Sequence, residues 1–145
     1  MISVFDMFSI GIGPSSSHTV GPMKAAKVFT DLLIAKNLLN DVDRVKTELF
    51  GSLGQTGIGH GTGKAVILGL SGETPETIPV ESIELILADV IASQKISLAG
   101  THDVNFPKDN AIIYHRRKTL PAHSNGMTFY AYQNEVLILE QTYYS

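Results

Sequence analysis

Ser15, Ser16, Ser17, His18 and Thr19 put four hydroxyls and an imidazole just ahead of Pro22. Proline's fixed φ suits the first turn of a helix, so residues 13–26 read as a small-residue polar loop running into a helix N-terminus. The first N–H groups of a helix lack internal partners and carry partial positive charge. A carboxylate or phosphate can dock there. A helix cap is the simpler use of any one of these hydroxyls, Ser17 or Thr19 above all. Four hydroxyls and a histidine exceed what one cap requires.

A second stretch with chemical potential runs from Gly51 to Gly63. Within it His60 stands between Gly59 and Gly61, with Thr62 and Lys64 close behind at the entrance to a helix. Flanking glycines leave the imidazole unshielded, and histidine is the side chain most easily poised to move a proton near neutral pH. A single loop histidine is also commonly structural. The run is not a Walker A element, because the first glycine of that pattern would fall on Ile58 and the residue after Lys64 is Ala65. Nor is it a dinucleotide fingerprint, whose third glycine would have to replace Thr62. Both nucleotide readings are rejected. His18 and His60 share a setting, each in a Gly- and hydroxyl-rich loop before a helix. If the two loops converge, they place anion-binding donors and a proton-transfer group in one pocket.

The other histidines are less telling. His102 lies in a predicted loop with Asp103, His115 ends a predicted strand beside Arg116-Arg117 and reads as a solvated face, and His123 precedes a turn at Ser124-Asn125-Gly126. None of the five has the spacing of a zinc site.

The elements that must position these loops follow from periodicity. Residues 20–39 place Ala25, Val28, Phe29, Leu32, Ala35 and Leu39 on one helical face, opposite Lys24, Lys27, Asp31 and Lys36. Residues 42–50 alternate as a strand, 64–70 form a helix stopped by Ser71-Gly72, and 80–93 repeat apolar residues at helical spacing. Residues 96–98, 111–115, 127–133 and 135–143 are rich in β-branched and aromatic residues, separated by turn signals, and read as antiparallel strands. Residues 2–9 suggest a short helical turn that packs Val4, Phe5 and Phe8 inward. The resulting fold class is α+β, a two-layer sandwich of helices on a mostly antiparallel sheet, in a single domain over 1–145.

Composition bounds the function. A length of 145 residues, 43% of them hydrophobic and 17% charged, suits one domain with a sizeable core. A net charge of -3 gives no electrostatic reason to expect a nucleic acid or an anionic membrane as partner. No apolar run is long enough to span a bilayer and the N-terminus lacks the form of a signal peptide, so a cytoplasmic location is expected. The absence of cysteine excludes disulfides, thiolate zinc sites, a cysteine nucleophile and any iron–sulfur cluster ligated by cysteines of this chain.

Gly13-Pro14-Ser15-Ser16-Ser17-His18-Thr19, then Gly51-Ser52-Leu53, Thr56-Gly57 and Gly59-His60-Gly61-Thr62, and finally His123-x-Asn125-Gly126-Met127 occur in that order. On these motifs the chain resembles the β domain of the bacterial iron–sulfur L-serine dehydratases, which convert L-serine to pyruvate and ammonia. Two positions depart from the family pattern: Gly63 stands where Asp is usual, and Ser124 where Pro is frequent. The resemblance implies a [4Fe-4S] cluster ligated by cysteines of an α domain outside this chain, with Lewis-acid polarisation of the serine hydroxyl. It implies no metal ligand within this chain and no pyridoxal phosphate.

By the same resemblance, His18 and His60 are the catalytic acid/base candidates, and Ser15, Ser16, Ser17, Thr19, Thr62 and Lys64 are the substrate-binding ones. The family's β domain is also similar to the allosteric substrate-binding domain of D-3-phosphoglycerate dehydrogenase. That similarity implies a regulatory serine site, for which His123 and Asn125 are the candidates. The implied partners are L-serine and the cysteine-bearing α domain, and the chain alone is expected to be inactive. The alternative is a regulatory L-serine-binding module acting in ligand sensing and self-association. A domain that evolved to face a partner often hides that face by dimerising, so a homodimer is expected.

Overall fold

The computed structural model describes residues 20–51, 53, 61–115 and 125–144. Their elements are α1 (Val20–Ala35), β1 (Arg44–Gly51), α2 (Thr62–Leu70), α3 (Val80–Ser93), β2 (Lys95–Leu98), β3 (His102–Asn105), β4 (Ile112–Tyr114), β5 (Asn125–Gln133) and β6 (Val136–Tyr144). The helical turn expected over 2–9 lies outside the described residues.

Helix α1 stops four residues short of the expected 39. Asn37 adopts φ 57, a left-handed conformation that asparagine tolerates and that ends helices. The buried face also differs from the expected one, with Ala25, Ala26, Phe29 and Leu33 inward, Val28 and Leu32 half-buried and Ala35 exposed. The cause is the crossing with α2. A Cβ at Gly69 would lie 2.2 Å from the Met23 carbonyl oxygen, so the two backbones nearly touch, and α1 turns toward its neighbour as well as toward the sheet.

Strand β1 is the centre of a six-stranded sheet of order β2-β3-β1-β5-β6, with β4 also paired to β1. The period-2 rule sends Val45, Thr47 and Leu49 to the helical side and Arg44, Lys46, Glu48 and Phe50 to the other. Strand β5 runs antiparallel to β1 from Arg44↔Tyr132 to Gly51↔Asn125. It returns as β6 through Asn134-Glu135, whose φ values of 50 and 67 are what a two-residue hairpin turn requires. Within the expected mostly antiparallel sheet, the strand expected at 111–115 departs from the antiparallel reading. Strands β3 and β4 run parallel to β1, because the chain passes through α2 and α3 before returning to the same edge. The sheet is therefore mixed and still mostly antiparallel.

Strand β3 occupies the segment expected to be a loop. Only Val104 of its His-Asp-Val-Asn sequence is an apolar signal. The strand forms because β2 pairs with it and the His102 ring N–H donates to the Val42 carbonyl at 2.7 Å. The core lies between the sheet and helices α1 and α2, where Phe29 stacks on Phe129 at 5.3 Å. A smaller cluster of Met23, Ala65, Leu68 and Leu87 ties α3 to the two other helices. No helix among the described residues is long and apolar enough to cross a membrane.

Candidate functional site

One corner of the sheet collects the residues that flank two of the motif loops. At the C-terminal end of β1, Leu49 pairs with Tyr114 of β4 and Gly51 with Asn125 of β5. The first turn of α2 reaches the same corner: a Cβ on Gly63 would lie 2.2 Å from the Tyr114 hydroxyl. The stretches 52–60 and 116–124, which carry His60 and His123, are thus bounded by residues held together by strand pairing. The third loop, ahead of α1, is bounded differently. Met23 meets α2 at Gly69, about 9 Å along that helix from Gly63 at 1.5 Å per residue.

Gly63, one of the two positions that depart from the expected motif pattern, packs against Tyr114. The Tyr114 phenol fills the room that a side chain at 63 needs. A larger residue at 63 would require the Tyr114 ring to shift. Burial raises the Tyr114 pKa above the ordinary phenol value.

A cluster that the sequence reading missed lies on the back of the sheet at this corner. The His115 Nε2–H donates to Glu48 Oε2 at 2.6 Å, and the Tyr130 hydroxyl donates to Glu48 Oε1. The His115 ring stacks on Phe50 with centroids 4.6 Å apart and planes 8° from parallel. Burial pushes the Glu48 pKa up, but the hydrogen bonds from Tyr130 and His115 and the nearby Lys46 charge outweigh it. The carboxyl ends below its ordinary 4.5. Burial and the Glu48 carboxylate together hold the Tyr130 phenol well above the usual tyrosine range. His115, read as a solvated face, is instead part of this network, with 23% of its side chain exposed. The available signal was the alternation of β1, which puts Glu48 and Phe50 on one side. The partner across the ladder was not visible.

Of the residues singled out from sequence, Thr62 and Lys64 lie on the first turn of α2, two residues earlier than the expected helix start. Thr62 is buried and Lys64 exposed, so only Lys64 presents its side chain to solvent. Gly61 precedes them with φ 77 and no side-chain cap. Asn125 opens β5 opposite Gly51. Ser15, Ser16, Ser17, His18, Thr19, His60 and His123 lie outside the described residues. Among the described residues no three His, Asp or Glu side chains are grouped to hold a metal ion.

Comparison with known proteins adds independent observations. The family model described as serine dehydratase beta chain matches residues 3–145. An L-serine dehydratase of Streptomyces coelicolor is 55% identical over 145 residues, covering 99% of this chain and 32% of the relative. L-serine dehydratases 2 and 1 of Escherichia coli are 52% and 50% identical over 146 residues, each covering 100% of this chain and 32% of the relative. The chain spans about a third of the length of the curated relatives it matches.

Proposed function

Since this chain belongs to the serine dehydratase beta chain family, we propose that it is the β part of an L-serine dehydratase, supplying active-site loops to a catalytic centre completed by a cysteine-bearing α part. The observation that carries this reading is the match along nearly the whole chain to enzymes named L-serine dehydratase, of which it makes up only 32%. The corner described above supports it, because strand pairing and the first turn of α2 bring together the residues that bound the Gly-His-Gly loop and the His123 loop.

The residues of this chain do not fit a [4Fe-4S] cluster as ligands. The chain has no cysteine, and among the described residues no cluster of metal-ligating side chains exists. On the proposed reading the cluster is held by the missing α part. The contribution of this chain is to bind and orient serine and to move protons. The reaction removes the α-proton and expels the hydroxyl as water, leaving aminoacrylate, which takes up water to give pyruvate and ammonium. Ser15, Ser16, Ser17, Thr19 and Lys64 are assigned to the serine carboxylate and its surroundings, and His18 and His60 to proton transfer, while the buried Thr62 side chain is left to hold the first turn of α2.

Reconstitution tests the reading. The chain alone should form no pyruvate from L-serine, and adding the cysteine-bearing remainder of the dehydratase should restore turnover. His18→Ala and His60→Ala should each lower the restored kcat at least ~100-fold, the scale of lost acid–base catalysis. Full activity in both variants would remove the histidines from the proposed mechanism.

A further inference from the structure

Helix α3 carries more apolar surface than the described chain covers. Of its 14 residues only Leu87 and Val90 are buried, while Leu85 is 72% and Ile91 63% exposed. Leu85, Ala88, Ile91 and Ala92 fall on one side of the helix and all four are exposed. This stripe does not end at the helix. Ile91 also borders a cavity of about 190 Å³ whose walls include Ile67, Phe106, Ile112 and Tyr114 together with Gln94 and Lys108. Tyr114 is the residue that packs against Gly63 at the first turn of α2, so the apolar surface continues from α3 into the corner assigned to the active site. The charged residues of α3 are Glu81, Glu84 and Asp89, all exposed, and the helix carries no basic residue. Glu81 and Glu84 fall within the same arc and Asp89 just beyond Leu85, so the exposed face interleaves apolar and acidic residues.

We propose that the α3 face and the adjoining groove are the surface on which the remaining two thirds of the dehydratase dock, through a segment that interleaves apolar and basic residues. The proposal rests on the reading of the chain as the β part of an L-serine dehydratase. Two observations select this occupant. The matched relatives are about three times as long as the region they share with this chain, so on that reading a body about twice the size of this chain is available to cover the face. The groove also leads into the corner that an active site shared between the two parts would have to adjoin. An exposed apolar stripe joined to a groove is the form a protein–protein contact takes.

A thiol footprint tests this. This chain has no cysteine, so Ile91→Cys and, as a control on the β6 side, Val136→Cys each introduce one reporter whose alkylation is read by peptide mass spectrometry. Each variant is compared alone and after assembly with the remainder of the dehydratase. Assembly should slow alkylation at position 91 at least tenfold and leave position 136 within twofold. In parallel, Ile91→Glu should weaken assembly at least tenfold while leaving the unfolding midpoint of the chain by itself unchanged. Co-elution of the wild-type chain with the remainder, with position 91 alkylated at its free rate, overturns the docking face and leaves the dehydratase reading intact. Failure of the wild-type chain to assemble at all overturns both. Protection already present in the chain alone, lost on dilution and not increased by the remainder, assigns the stripe to a second copy and also overturns the proposal.

Discussion

Helix α1 buries eight of its 16 residues, whereas helix α3 buries two of its 14, although each carries three charged residues and is otherwise largely apolar. The difference lies in what each helix meets. Helix α1 is pressed against α2 at Gly69 and against the sheet at Phe129, so its apolar residues close a core on two sides. Helix α3 touches the rest of the chain through Leu87, Val90 and a half-buried edge. Apolar periodicity therefore reports where a helix runs and which of its residues are apolar. It does not report how much of that apolar surface the chain itself buries.

The largest effect that could break this contrast belongs to α1. Phe29→Ala removes a fully buried ring from its stack on Phe129 and should lower stability by about 3–5 kcal/mol in urea unfolding of the chain. A loss below about 1 kcal/mol would mean that the α1 side is as loosely filled as the α3 side.

Gly69→Ala probes the same closed region through the backbone. Alanine is the better helix former by ~1 kcal/mol, yet its Cβ would lie 2.2 Å from the Met23 carbonyl oxygen, an atom fixed within α1. The variant should be destabilised by about 1–3 kcal/mol as the helices are forced apart. If it were instead more stable than the wild type, the close approach of α1 and α2 would not be what turns α1 away from its expected face.

The sequence made α3 legible to the residue and left other features dark, for physical reasons. Pro79 sets the extended conformation ahead of α3, and the apolar spacing runs unbroken to Ser93. Strand β3 was invisible because a four-residue strand with one inward apolar residue has no pattern of its own and exists through its pairing with β2. The Glu48–His115–Tyr130 network was hidden for a related reason. Its members are 67 and 82 residues apart in pairs, and only the register of β1 with β4 and β5 brings them together. The motif loops were read from residue types alone, and the described residues bear on them at their ends, through Gly51, Gly61, Thr62, Lys64 and Asn125, where they join β1, α2 and β5.

The corner between the closed and open regions is tested by a cycle. Gly63→Ala should cost stability, because the new Cβ meets the Tyr114 hydroxyl, the outer end of a side chain that can give way. Adding Tyr114→Phe removes the opposing atom and should recover about 1 kcal/mol relative to the sum of the single changes, measured as a double-mutant coupling. Additive effects would show that the two positions do not share one packing space.

On the back of the sheet, Glu48 should reveal itself through pH. Its pKa in the folded chain is lowered from the ordinary 4.5, so its contribution to stability is complete above pH 4.5 and is lost as pH falls through the lower folded value. Wild-type stability should thus decline more steeply below pH 4.5 than that of Glu48→Gln, which has no carboxyl to protonate. Parallel curves would remove the carboxylate from any role in holding β1, β4 and β5 together.

The smallest expected effect is also the one that sharpens the contrast most. Burying a leucine side chain is worth ~1.5–3 kcal/mol, but only to the extent that folding removes it from water. Leu85 keeps 72% of its surface exposed, so Leu85→Ala should change the unfolding free energy of this chain by no more than about 0.5 kcal/mol. A loss near that of Phe29→Ala would show that α3 is closed within the chain itself, and the two helices would no longer differ in kind. A near-zero change shows that folding of the chain does not select the leucine. Its burial energy then becomes available only when another surface covers α3.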